Sequence, residues 1–207
     1  MTAIKSPRFS PASFILVSLA ALTPSVAGEA TYHFGVSEQS TNITFESETD
    51  FETILGSTRE IKGTAVVDLE QGLASTTIEV PVASLRTGIN LRDEHLRSKA
   101  WLDAKSHPSI SFASSRARKV DNNRWEVSGT FSMHGQSREL TTIVDVRTIP
   151  AEVAKSAGLG KGEWIRITAP FEVKLSDFGV EIPKKPAQRV NDAWKIRVQA
   201  FAATEAR

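Results

Sequence analysis

Residues 125–133 read WEVSGTFSM, with Trp125, Val127, Gly129, Phe131 and Met133 on one parity and Glu126, Ser128, Thr130 and Ser132 on the other. Side chains alternate across an extended chain, so a period of two describes a strand with one apolar and one polar face. Turn-forming residues bound it on both sides: Asp121-Asn122-Asn123 before, His134-Gly135-Gln136 after. Both are hairpin-sized, which makes the neighbouring strands antiparallel partners of this one.

Outward from there the same alternation repeats. Leu140, Thr142, Val144 and Val146 continue it on the C-terminal side, then Ile165, Ile167, Ala169, Phe171, Val173 and Leu175, then Trp194, Ile196, Val198 and Ala200. On the N-terminal side stand Ile110 and Phe112, the Thr/Ile/Val-rich run Leu73–Val80, Ile61 to Val67, and Ile43, Phe45, Phe51 and Leu55. About eight amphipathic strands joined by short turns form an antiparallel meander. Its apolar face must either meet a second sheet or close on itself. Two segments break the pattern. Leu91–Leu102 predicts a helix with Asn90 as N-cap, placing Leu91, His95, Ser98 and Leu102 on one stripe. Pro150–Ala157 predicts a shorter helix ended by Gly158. No domain linker separates these elements, so residues 28–207 are expected to form one domain.

The first 27 residues read as a signal peptide. Lys5 and Arg8 form a basic start, Phe14–Leu22 (FILVSLAAL) an apolar stretch, and Ser25-Val26-Ala27 a small-residue exit. The run is shorter than the roughly 20 residues of a membrane span. Cleavage after Ala27 is expected, giving an exported product. Losing Lys5 and Arg8 takes the net charge from +1 to −1, which argues against a nucleic-acid partner. The chain has no cysteine, so an exported product draws its stability from its core and not from disulfides.

Signs of catalysis are lacking in the sequence. His33, His95, His107 and His134 show no metal-ligand spacing. Ser132, His134 and Asp145 supply the residue types of a hydrolytic triad without a nucleophile-elbow sequence. No enzyme activity, metal or cofactor is expected. The apolar parity instead interleaves Phe45, Phe51, Phe112, Phe131 and Phe171 with Gly63, Ala65, Gly129 and Ala169. Small residues beside aromatics either leave a channel in a barrel of about eight strands or complete a dry core. The residues alone leave both readings open.

The stretch 84–114 carries Ser84-Leu85-Arg86-Thr87-Gly88, Arg92-Asp93-Glu94-His95-Leu96-Arg97-Ser98, Trp101-Leu102-Asp103, His107-Pro108 and Ile110-Ser111-Phe112-Ala113-Ser114. In these blocks and their order it resembles the YceI-like family of periplasmic polyisoprenoid-binding proteins, and the resemblance implies a periplasmic location. Two further family blocks follow in order, Gly129–Gly135 (GTFSMHG) and Ser176-Asp177-Phe178-Gly179. The family implies an all-β fold: an extended antiparallel lipocalin-like β-barrel with one short helix beside it. It also implies a binding protein for a long-chain isoprenoid or fatty-acid-like lipid, such as an isoprenoid quinone or polyprenyl phosphate. Phe45, Phe51, Leu91, His95, Leu96, Trp101, Phe112, Phe131, Phe171 and Phe178 are the expected ligand-binding residues, with His95 either a head-group anchor or a structural tie. Transient membrane contact and a homodimer stay open. So does the alternative of a stress-related enzyme or interaction module built on the same barrel.

Overall fold

The structure, a computed structural model, describes residues 28–68, 73–182 and 189–205. The expected signal peptide, residues 1–27, and the Lys184-Lys185 pair lie outside the described residues.

Ten strands form one antiparallel sheet: β1 (Glu29–Phe34), β2 (Asn42–Glu48), β3 (Thr53–Thr58), β4 (Lys62–Asp68), β5 (Leu73–Pro81), β6 (Ser109–Lys119), β7 (Arg124–Met133), β8 (Gln136–Ile149), β9 (Trp164–Lys174) and β10 (Ala193–Ala203). They make an eight-stranded closed barrel. β1 and β2 follow one another along the same edge of β10, His33 and Phe34 opposite Ala203 and Ala202, then Asn42 to Glu46 opposite Gln199 to Lys195. They are one long strand interrupted by residues 35–41. β3 and β4 are likewise one strand interrupted by residues 59–61, pairing with β2 and β1. From β4 onward each strand pairs with the next to β10, whose pairing with β1 closes the cylinder. The expected lipocalin-like barrel is thus the observed fold, and closure leaves the apolar parity facing inward.

Two helices interrupt the meander. Helix α1 (Asn90–Arg97) lies between β5 and β6, and α2 (Ala151–Ser156) between β8 and β9. Around α2, the buried Ala154, Trp164 and Ala203 pack with Ile149 and Leu159. The Trp164 indole N–H donates to the Gly160 carbonyl at 3.0 Å, fixing the returning chain.

Two departures from the expected pattern have local causes. Phe51 and Leu55 are 64% and 59% exposed rather than inward. Between Phe45 and Leu55 the chain reverses through a turn in which the Thr49 hydroxyl accepts from the amides of Phe51 and Glu52 and donates to the Glu52 carbonyl. That turn resets the parity, so Ile54 and Gly56 point inward in place of Leu55. β6 continues to Lys119, beyond the expected end at Ala113, because a β-bulge at Ser115 shifts its alternation from Ile110 and Phe112 to Ala117.

One end of the barrel is filled by Tyr32, Trp125 and Ile165, each at most 2% exposed. The Tyr32 hydroxyl donates to Glu163 Oε2 at 3.2 Å. Burial first, then the Glu163 charge and this hydrogen bond, push the phenol up from 10.0 to about 12. Unfolded tyrosine ionises near 10, so the contribution from Tyr32 is complete below that pH and is lost as pH rises from 10 to about 12. Thermal melts across this interval are expected to show a decline that Tyr32→Phe removes. An identical alkaline limb in the variant would contradict this assignment.

Candidate functional site

The inward side chains enclose a tunnel whose lining, among the described residues, is apolar apart from Thr76, Ser111 and Thr142 and contains no ionisable side chain. Space not filled by protein atoms amounts to ≈ 1440 Å³ inside it, with interstices and open solvent counted, whereas the cavity proper is ≈ 170 Å³. An engineered apolar cavity of about 150 Å³ holds a benzene molecule. The tunnel is therefore thin. A longer chain must turn the lining side chains aside as it threads.

Aromatic residues set its width. Phe45 stacks on Trp194 with ring centroids 5.0 Å apart and planes 4° apart. The Phe45 ring also covers Gly56, where a Cβ would collide with it, so Gly56 is what admits the stack. Phe131 meets Phe171 edge to face at 5.7 Å and Phe178 at 5.5 Å.

Of the expected binding residues, Phe45, Phe112, Phe131 and Phe171 line the tunnel. Leu96 and Phe178 are buried in the cluster that fills the end of the barrel beside α1, with Trp101 packed against it. These three close the tunnel without lining it. Phe51, Leu91 and His95 are exposed and are corrected to surface positions. The helix is also shorter than expected and begins with Ile89 as its N-cap. It buries Asp93 and Leu96, not the stripe of Leu91 and His95. Sequence reading missed Leu85, Met133 and Trp194 as lining residues at this end. Met133 and Trp194 had the right parity, and only their burial against the aromatic stack distinguishes them.

The helix is turned by a clamp. Asp93 Oδ1 accepts the Thr87 amide at 2.7 Å and the Thr87 hydroxyl at 2.6 Å. Arg92 Nε donates to the same hydroxyl at 2.9 Å and Nη2 to the Thr87 carbonyl at 3.1 Å. Arg97 reaches the Ala83 carbonyl at 3.3 Å, and the Ser98 hydroxyl donates to the His95 carbonyl at 2.7 Å. The charged residues of this block thus fasten α1 over the barrel end. Burial pushes the Asp93 carboxyl up, but the two Thr87 hydrogen bonds and the charges of Arg97 and Arg86 outweigh it, and it lies below the usual range. A depressed folded pKa contributes stability above the unfolded value near 4 and loses it as pH falls through the folded value. Asp93→Asn is expected to cost about 1–2 kcal/mol at neutral pH, and the gap to wild type should narrow as the pH falls through the lowered pKa of Asp93. Equal denaturation midpoints at pH 7 would remove the clamp.

The later sequence blocks meet at this same end. His134 and Gly135 form the β7–β8 turn with φ of 51° and 73°, the positive pair a two-residue hairpin requires. His134 Nδ1 donates to the Phe178 carbonyl at 3.0 Å. The His107 ring approaches His134 at 5.1 Å and rests against Gly135. Ser132 bonds Ser137, and Asp145 pairs with Arg147 at the other end of the β7–β8 hairpin. Ser132, His134 and Asp145 are therefore not brought together.

Comparison with known proteins agrees with this architecture. The YceI-like domain family matches residues 34–202. A UPF0312 protein of Azotobacter vinelandii is 25% identical over 151 residues, covering 70% of this chain and 73% of its own. Protein YceI of Escherichia coli O6:H1 is 27% identical over 145 residues, covering 67% and 70%. Among solved structures, Burkholderia cenocepacia BcnA superposes with a TM-score of 0.69 at 20% identity, covering 81% of this chain and 99% of its own. A polyisoprenoid binding domain from Saccharophagus degradans superposes with a TM-score of 0.61 at 13% identity, covering 84% and 98%.

Proposed function

This chain belongs to the YceI-like domain family, and on that premise we propose that it is a binding protein that holds the tail of a long, chain-like amphiphile in its barrel. The ligand class is an isoprenoid quinone, a polyprenyl phosphate or a fatty-acid derivative. The protein sequesters or carries it in the periplasm after removal of residues 1–27. The observation that carries this reading is the tunnel: thin, ringed by eight strands and free of ionisable lining among the described residues. Burial of an alkyl chain contributes ~0.8 kcal/mol per CH₂, so a few prenyl units outweigh an association cost of ~4–15 kcal/mol. A lining without acid or base supports binding over chemistry on the buried tail. The fold relation to a domain named for polyisoprenoid binding supports the same class.

Native purification from the periplasm, organic extraction and mass spectrometry test the reading. A long-chain isoprenoid or fatty-acid species at near-stoichiometric amount is expected, on a protein whose intact mass begins at Gly28 or within a few residues of it. A lipid-free protein that also fails to bind an added polyprenyl probe overturns the binding. A mass that retains Met1 overturns the export.

A further inference from the structure

Both ends of the tunnel are filled by buried side chains: Tyr32, Trp125 and Ile165 at one, Val82, Leu102 and Leu175 at the other. Between β8 and β9 the wall itself is broken, with an outer pocket against the break. β8 and β9 pair from Ile149–Trp164 only as far as Asp145–Thr168. Beyond that, residues 136–144 of β8 pair with β7 alone and residues 169–174 of β9 with β10 alone.

Pro170 accounts for where the ladder stops. The next residue of β9 to face β8 in this register is Pro170, which has no N–H to donate. Its carbonyl does point at β8, because the Thr142 hydroxyl donates to it at 2.6 Å. A side-chain bond thus ends the seam where a backbone pair would have continued it.

Leu140 and Val173 border the break, with Phe131 behind them, and all three line both the tunnel and the outer pocket. The two spaces are thereby separated by side chains and not by a hydrogen-bonded wall. The outer pocket carries two cations, Arg138 and Lys174, and three carboxylates, Glu139, Glu172 and Asp177. Among the described residues no ion pair joins the cations to the carboxylates.

We propose that the β8–β9 seam is the lateral portal of the tunnel and that its outer pocket seats the ligand's head, a hydrogen-bonding group without net negative charge. This rests on the lipid-binding reading above and narrows its ligand class. Phe131 is the leaf of the portal, since it is the aromatic side chain common to both spaces. A hydroxyl or quinone carbonyl finds donors in Arg138 and Lys174, and a hydroxyl finds acceptors in the carboxylates. A phosphate brings its charge among three carboxylates opposed by two cations, and like-charge juxtaposition is unfavourable.

The test compares two probes of equal tail, a prenyl alcohol and the corresponding prenyl phosphate. Wild type is expected to prefer the alcohol by about tenfold at low salt. The exposed triple variant Glu139→Gln, Glu172→Gln, Asp177→Asn should bind the phosphate about tenfold better than wild type does and so lose the preference for the alcohol, with melting temperature little changed. A wild type that prefers the phosphate, or a variant with unchanged phosphate affinity, overturns the head-group assignment. If wild type binds neither probe, the binding reading itself fails. The portal is tested separately, because a chain without cysteine takes a thiol label at one introduced site. A bulky maleimide on Glu172→Cys should slow alcohol uptake about tenfold, whereas the same label on Lys119→Cys, at the opposite end of the barrel, should not. Equal rates for the two labelled proteins overturn the portal.

Discussion

Ala169→Phe is expected to abolish lipid binding, by about a hundredfold or more, while leaving the protein folded. Ala169 is 8% exposed on the inward face of β9, between Ile167 and Phe171 and opposite Val198 of β10. The cavity of ≈ 170 Å³ is close to the size that accepts a benzene ring. A phenyl group on this Cβ therefore occupies the space through which a ligand tail must pass. Because the ring enters existing space, overpacking stays below the usual ~1–3 kcal/mol, and the melting temperature should hold within a few degrees. Titration of a polyprenyl probe against both proteins checks this. A folded variant that binds as tightly as wild type would mean that the tail does not run past β9.

Gly129→Ala should do the reverse, damaging the barrel before binding is reached. Gly129 sits on the inward face of β7 with small-residue parity, so a sequence reading treats it like Ala169, as a place where a larger side chain could block the channel. The structure gives it a different role. A Cβ at Gly129 would strike the Ala113 carbonyl oxygen and stand 2.6 Å from Ser114 Cα and 2.8 Å from Phe112 Cζ. Two of these neighbours are backbone, drawn in where β6 bulges at Ser115. Backbone cannot rotate away as a rotamer does. The expected loss is about 3 kcal/mol or more, at the upper end of overpacking. In a domain of this size that lowers the melting temperature by roughly 6–12 °C. Gly129→Phe should not fold at all. An unchanged melting temperature for Gly129→Ala would show that the bulge relaxes without cost.

What the sequence made legible follows from what is local. Alternation of Trp125 to Met133, or of Ile165 to Val173, is a property of each strand and survives into the barrel because one face of every strand must be apolar. Errors came where a tertiary or backbone device reset the phase. The Thr49 turn moved Phe51 and Leu55 outward, the Ser115 bulge hid the second half of β6, and the Asp93–Thr87 clamp turned α1 so that His95 faces solvent. A helical wheel weighs Leu91 and His95 by polarity. It has no way to register that a buried carboxylate satisfied by Thr87 fixes the opposite face. Likewise Leu96 and Phe178 are apolar and inward, yet whether such a residue lines a tunnel or seals its end depends on the partners the fold supplies. Nothing in the alternation of β9 marks Pro170 as the end of a ladder, because the strand that misses its N–H is defined only by the order of strands around the barrel.

The pairing of His33 and Phe34 with Ala203 and Ala202 also has a kinetic consequence. The first and last strands of the chain meet, so the cylinder cannot close until the final strand is available. Contacts of such sequence separation form late and slowly, because the loop entropy is lost before the contacts reward it. Until then β9 and the β1–β2 edge present unpaired backbone, the kind of edge that recruits other chains. A nascent or threading chain missing only its last strand therefore stays open along its whole length. Emergence of residues 193–203 is the event that lets the barrel form.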